Sequence, residues 1–403
     1  MMDNDDLIIL VMITGMMYEY YRRRRRYKKR FWVRPLYKNR DVDGFFVTAF
    51  DHMYNKDFEQ FKVNVRMNPE IFDLLLNLTE EKLTKSSCRP SISAKCRLFL
   101  TLLYLAHGES VRYLSLTFKM GASTVRSIIQ ETSRVLWDIL APLYMSTPNK
   151  SGWKRIAVDF ENVWNLPHCV GAIDAKHINI VRPANSGSQY YKNKGTYSIA
   201  LLAACGADYI FTAIDVSACG PQSDDCIMRR SEFVRRLVQN QLELPESTII
   251  TGTNIQFPYY FIGDSACPLR NNLMRPYPGI LLPKDKETFN KRLSRGRETI
   301  ENAFGVLASR WRVLLSQIHM KPENAASVVK ATVVLHNFVK THDESYCPRE
   351  YVDFEENGEV KSGLWRQNTA PLRKARKLSG NNASRSAFHI RDILKNYLIQ
   401  NEI

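Results

Sequence analysis

The run Cys169–Val181 (CVGAIDAKHINIV) places one carboxylate, Asp174, at the centre of a stretch otherwise suited to a buried strand. A carboxylate taken out of water costs several kcal/mol unless a partner or a metal ion matches it. Any fold built on this strand must therefore bring a partner or a metal to Asp174. Two more apolar runs follow, Tyr197–Cys205 (YSIALLAAC) and Tyr209–Val216 (YIFTAIDV), with Gly206-Ala207-Asp208 between them. Their spacing predicts an antiparallel meander of three strands. A shorter run, Tyr260–Asp264 (YFIGD), predicts another strand ending on Asp264. Arg297–Trp311 (RETIENAFGVLASRW) has Ile300, Ala303, Phe304, Leu307 and Trp311 on one helical stripe. Glu301 lies at the margin of that stripe, where its carboxylate can reach a sheet.

Strand-like and helical runs alternate from residue 153 to about 340, which is the α/β pattern. An Asp within the first strand, an Asp closing the fourth and a Glu on a later helix form the layout of a ribonuclease-H-like mixed-sheet catalytic core. The residue types suit phosphodiester cleavage. One divalent ion activates water or a 3′-hydroxyl and a second stabilises the leaving oxygen, about 3.5–4 Å away. Magnesium takes a few carboxylates and keeps several waters. Asp174, Asp264 and Glu301 are thus the candidate catalytic residues, with Mg2+ or Mn2+ as the cofactor. Two of them also have a structural reading. Glu301 can pair with Arg297 at i−4, and Asp264 can cap a turn before Pro268. If the acids form one metal site, Asn at 174 or 264 should leave metal-free stability unchanged or raise it.

The rest of the chain divides by pattern. Residues 1–55 read as a basic leader, 56–150 as a helical domain, 151–340 as the α/β domain and 341–403 as a loose polar tail with a late helix at Phe388–Leu398. Leu7–Met17 (LIILVMITGMM) is too short for a membrane span of ~20 residues. Arg22–Arg40 then carries 11 basic residues and no acidic one. Three roles are open to such a run: nuclear import, phosphate contact and solubilisation. With a formal net charge of +16, the composition favours a polyanionic partner, nucleic acid before membrane. Eight cysteines without a CxxC pair read as buried, reduced thiols rather than a zinc site or a disulfide framework.

In the helical domain, Phe61–Leu78 has apolar residues at helical spacing, and Ser91–Ala106 begins with a capping serine. Val111–Leu140 reads as a short helix over Val111–Lys119, a turn at Met120-Gly121 and a second helix capped by Ser123. Its inward residues are Val125, Ile128, Ile129, Val135 and Leu136. Such a helix-turn-helix outline points Thr124, Arg126, Ser127 and Gln130 outward, where the DNA-binding version of the motif meets bases or phosphates. A plain packing hairpin has the same outline.

Several segments resemble the Harbinger superfamily of DDE transposases and its host-derived nuclease relatives. They are VGAIDAKHI at Val170–Ile178, CGPQSDDCIMRRSEF at Cys219–Phe233, FIGDSACPLRNNLMRPYPG at Phe261–Gly279, FNKRLSRGRETIENAFGVLASRWRVL at Phe289–Leu314 and LHNF at Leu335–Phe338. The resemblance runs from about Arg22 to the tail. It implies four metal-binding positions, Asp174, Asp225, Asp264 and Glu301. Before Asp225 the family has a small residue and His, whereas Ser223-Asp224-Asp225 offers two adjacent acids. Ala175-Lys176-His177 stands where the family more often has a glycine and a threonine, and Ala266-Cys267 where it has Gly-Tyr. The resemblance further implies a nuclear protein, a Myb/SANT-like DNA-binding partner, and two kinds of relative. Active transposases cut DNA, while some plant relatives keep the fold, have lost catalysis and act in chromatin regulation. The oligomeric state is left open.

Overall fold

A computed structural model describes residues 4–24, 31, 33–86, 91–187, 190–192, 196–218, 225–250, 252–356, 359–368, 372–374 and 383–401. Helix α1 (Asn4–Arg24) leaves Ile8 to Tyr20 exposed along its length. No helix among the described residues is long and apolar enough to cross a membrane. Arg25–Arg30, the centre of the basic run, lies outside the described residues. The end of the run is ordered against the helical region, where Tyr37 Oη meets Ser115 Oγ at 3.1 Å.

The apolar stretch Phe61–Leu78 forms two helices, not one. Helix α2 (Phe58–Val65) is capped by Asp57, which accepts from Gln60 N at 3.0 Å. It stops at Arg66, whose φ of 65° is left-handed, and Pro69 opens α3 (Pro69–Leu83). Proline has no N–H for a continuing ladder and fits best in a first turn. Helix α4 (Ala94–His107) is capped by Ser93, two residues later than expected, and closes on Gly108 at φ 70°. Helices α5 (Val111–Thr117) and α6 (Ala122–Tyr144) form the helix-turn-helix outline. Their boundaries differ from expectation: Lys119 turns left-handed at φ 49°, and α6 starts on Gly121 with no side-chain cap, so Ser123 lies inside the first turn. Helix α7 (Lys150–Trp164) follows, capped by Asn149.

The mixed sheet contains β1 (Cys169–Ile180), β2 (Tyr191–Lys192), β3 (Thr196–Cys205), β4 (Phe211–Ser217), β5 (Tyr260–Ile262), β6 (Leu273–Met274) and β7 (Arg373–Lys374). The main order is β4-β3-β1-β5-β6. The pairs β4–β3 and β3–β1 are antiparallel, whereas β5 and β6 run parallel to β1. β2 continues the outer edge of β3, and β7 pairs antiparallel with β1 at Lys176 and His177. Between β4 and β5 come α8 (Asp225–Arg230) and α9 (Glu232–Val238). Asp215 on β4 holds the start of α9 by accepting from Ser231 Oγ and from Phe233 N at 3.1 Å.

Two apolar layers cover the sheet. On one face Val170, Ile173, Ala175, Leu202 and Ala204 pack with Trp153 of α7 and Phe233 and Leu237 of α9. On the other, Ala172, Leu201, Ala203 and Cys205 join a core that includes α10 (Lys284–Arg310) and α11 (Pro322–His342) and continues into the N-terminal helices. The LHNF segment is a clamp in α11. Asn337 accepts from Phe211 N at 3.0 Å and donates at 2.8 Å to Phe211 O and to Tyr144 O, tying β4 to the end of α6. His336 Nε2 meets Tyr209 O at 3.0 Å, and burial pulls its pKa down to about 3, so it is neutral.

The polar tail is packed onto this core. Helix α12 (Leu364–Asn368) carries Trp365, 2% exposed, whose Nε1 donates to Asn302 Oδ1 at 2.8 Å. Helix α13 (Arg385–Gln400) buries Leu394 and Leu398 against α10. A few well-placed apolar residues do this, which a mean over polar composition conceals. Gly305 makes room for the tail: a Cβ there would lie 2.3 Å from the Trp365 ring. Gly305→Ala is therefore expected to cost about 1–3 kcal/mol by overpacking. Chemical denaturation should show a lower midpoint and a shifted tryptophan emission; unchanged values would mean that α12 does not contribute to the fold.

Candidate active site

Among the described residues, Asp174 sits where one edge of β1 has no neighbour. β5 pairs with β1 only at 169–172, β7 only at 176–177, and Ile318 follows at 179–181. The gap falls at residues 173–175. Asp174 points to the face covered by α10, since its partner across β3 is Ala203 of that layer. Its Oδ1 accepts from Ala175 N at 2.9 Å. Its Oδ2 lies 2.8 Å from Lys176 Nζ, and both side chains are 5% exposed. That contact lacks hydrogen-bond alignment, so Oδ2 is charge-matched without being hydrogen-bonded. The required partner thus comes from two residues along the same strand, on the same face by the two-residue period.

Asp264 lies just past β5. Ile262 is level with Ala172, so two further residues on each chain bring Asp264 towards Asp174 at the point where the strands part. Asp264 Oδ1 accepts from Ala266 N at 2.8 Å, the turn-capping role open to it from sequence. Cys267 folds back beneath this turn. A Cβ on Gly263 would lie 2.4 Å from Cys267 Sγ, which makes glycine necessary there. Burial pushes the Cys267 thiol well up, Asp264 and Asp174 push it further, and Arg297 pulls it back. One protonated thiol therefore has Asp264, Asp174 and Arg297 as charged neighbours.

Helix α10 brings the remaining acid. Gly296 packs so closely that a Cβ would stand 2.4 Å from Leu166 and 2.9 Å from Ile262 of β5. The next turn carries Arg297 and Glu301, whose Nη2 and Oε1 are 3.5 Å apart, the i−4 pair open to it from sequence. Two acids not singled out in the sequence stand nearby. Asp353 from the tail is 6% exposed and forms a two-pronged bond with Arg366. Glu298 on α10 has its pKa raised by burial, then by Asp353 and Glu301. No local pattern marked them, because a tail segment distant in sequence brings Asp353 to α10.

Asp225 opens α8; its side chain, and all of Asp224, lie outside the described residues. Among the described residues no three Asp, Glu, His or Cys side chains are grouped to hold an ion. In kind the donors still suit a hard divalent cation: carboxylates, an Asp174 oxygen with no hydrogen bond, and no ionised thiol. In the α5–α6 unit, Thr124, Arg126 and Ser127 are exposed and Gln130 half-buried, while Val125, Ile128, Ile129 and Leu136 face inward. Ser127 Oγ donates to Glu131 Oε1 at 3.4 Å, and Glu131 pairs with Lys85 and Arg97.

Residues 173–337, a span that contains all four acids, match the family model described as DDE superfamily endonuclease. This region is similar to the DDE superfamily endonucleases. The chain is 26% identical to a protein named ALP1-like from Arabidopsis thaliana, over 70% of this chain and 71% of that protein. It is 25% identical to the Arabidopsis protein named antagonist of like heterochromatin protein 1, over 69% and 72%. It is also 25% identical to HARBI1 of Bos taurus, whose name proposes a nuclease, over 65% and 73%. These relatives agree with the Harbinger resemblance of the motifs. No solved structure matches the chain.

The geometry reverses one expectation for the α/β region. Asn at 174 removes the partner of a buried ammonium rather than relieving repulsion. Asp174→Asn should therefore cost about 3–5 kcal/mol. Adding Lys176→Met should recover most of that loss in a double-mutant cycle read by urea denaturation. Additive costs would show that the pair is not coupled.

Glu298 gives a pH test. Its folded pKa is above the unfolded value, so its charged form is disfavoured by folding; the penalty is absent at low pH and grows as pH rises through the folded pKa. Glu298→Gln should raise Tm at pH 7 and leave it nearly unchanged at pH 4. A gain of equal size at both pH values would contradict this assignment.

Proposed function

We propose that the chain is a divalent-metal-dependent DNA endonuclease of the DDE transposase type, on a ribonuclease-H-like core. The observation that carries the reading is the position of the acids. Asp174 lies mid-strand in β1, Asp264 follows β5 at the same level, and α10 brings Arg297, the partner of Glu301, to the thiol that Asp174 and Asp264 also face. The order β4-β3-β1-β5-β6, antiparallel then parallel, supports the same core. Asp174, Asp264 and Glu301, joined by Asp225, would hold Mg2+ or Mn2+. When bound, the metal would supply an activated water and stabilise the leaving oxygen. The protein's own part is to fix the carboxylates on a strand, a capped turn and a close-packed helix.

DNA would be positioned by the basic leader and by the exposed start of α6. Arg34 and Arg40 line the same groove as Lys119 and Thr124, so the ordered end of the basic run lies beside the α5–α6 turn. Thr124, Arg126, Ser127 and Gln130 would meet bases or phosphates there. A nuclear location and a Myb/SANT-like partner belong to this reading through the Harbinger resemblance. The 2.8 Å Lys176–Asp174 pair favours a second reading, a catalytically silent DNA- or chromatin-binding protein in which the acids are structural.

Nicking of supercoiled DNA by the purified protein in Mg2+ or Mn2+ separates the two. The endonuclease reading expects metal-dependent nicking that falls at least about 100-fold in Asp264→Asn, by analogy with loss of a ligand to a charge-stabilising ion. Salt-sensitive DNA binding without nicking in either protein would establish the silent reading.

A further inference from the structure

We propose that the Lys176 ammonium is a built-in counter-cation that holds the place beside Asp174 Oδ2, so that a divalent ion binds Asp174 only when Lys176 leaves. The inference rests on the metal-site reading above and adds a residue that controls it. Three observations carry it. Lys176 Nζ is 2.8 Å from Asp174 Oδ2 with both side chains 5% exposed. Its other recorded neighbour is the Phe304 ring, with Nζ 5.5 Å from the centroid, on the helix that carries Glu301 one turn earlier. Asp174 Oδ2 makes no hydrogen bond among the described residues, so Lys176 is what matches its charge.

The physics is competition for one site. A buried carboxylate and a buried ammonium each need the other, and removing either leaves an uncompensated charge. A divalent ion on the same carboxylate would stand within a few Å of the ammonium, and like charges in a low-dielectric site repel strongly. Lys176 is tethered two residues away, so its effective concentration far exceeds that of free Mg2+. The four-carbon stem lets Nζ swing away without moving β1, since lysine reaches solvent by extending its stem. The arrangement therefore sets metal affinity below what the carboxylates alone would give. It also accounts for carboxylates that are matched by the chain's own cations.

Mn2+ binding to the full-length protein, without DNA, tests this by calorimetry and by the electron-spin signal of free Mn2+. Lys176→Met should bind Mn2+ at least 10-fold more tightly than the unaltered protein, and Lys176→Gln should follow it. Lys176→Met with Asp174→Asn should lose the gain. In the unaltered protein, the ε-carbon signal of Lys176 in lysine-labelled NMR should move on adding Mg2+, which tests the displacement even if the variants fold poorly. Equal Mn2+ affinity in the unaltered and Lys176 proteins, or binding with no movement of the Lys176 signal, overturns the inference and leaves the metal site standing. No saturable binding in any of the proteins overturns both.

Discussion

A carboxylate in the middle of a central strand has to be matched by positive charge, and much of the α/β region is arranged around that need. Asp174 is poorly hydrated, because helices cover both faces of the sheet and leave it 6% exposed. The ammonium two residues along its own strand supplies the match. The close packing at Gly296 and Gly263 then brings a helix and a turn to the same place, each with an acid that has a local partner of its own. The pattern is a set of acids, each neutralised or capped, on elements that leave little room for adjustment.

Much of the fold was legible because periodicity reports burial directly. The strand runs at Cys169, Tyr197, Tyr209 and Tyr260 appear within a few residues of their expected bounds, and the stripe on Arg297–Trp311 lies in a helix that starts much earlier, at Lys284. The boundaries that shifted did so for local backbone reasons: Pro69 split one helical run in two, and left-handed Lys119 moved the start of α6 away from Ser123. The packed tail was hidden because its contacts are few and distant. Trp365 meets Gly305 and Asn302 across about 60 residues of chain, and no window average registers that.

The site was legible to a different extent. Residue type and order along the chain picked out Asp174, Asp264 and Glu301, and both local alternatives, the Asp264 turn and the Arg297–Glu301 pair, are present as well. The two readings are compatible, since a side chain with a local partner keeps other lone pairs. What spacing could not convey was the sign of charge coupling at Asp174. Repulsion among acids was the natural expectation, and a lysine on the same face of the strand replaced it with attraction. Asp353 and Glu298 escaped notice because tertiary contact alone brings them together.

The pairing of β7 with β1 has a consequence for synthesis. The bridge Lys176↔Lys374 joins residues about 200 apart, and among the described residues one edge of β1 beyond residue 175 is capped by Ile318 and by this short strand. At about 5–20 residues per second on the ribosome, β7 emerges roughly 10 to 40 seconds after β1. During that interval the edge beside Lys176 has no neighbour, and an unpaired strand edge is a template for joining another chain. A nascent chain of this kind has reason to meet a chaperone before its last strand arrives, and truncation ahead of residue 373 would make the exposure permanent.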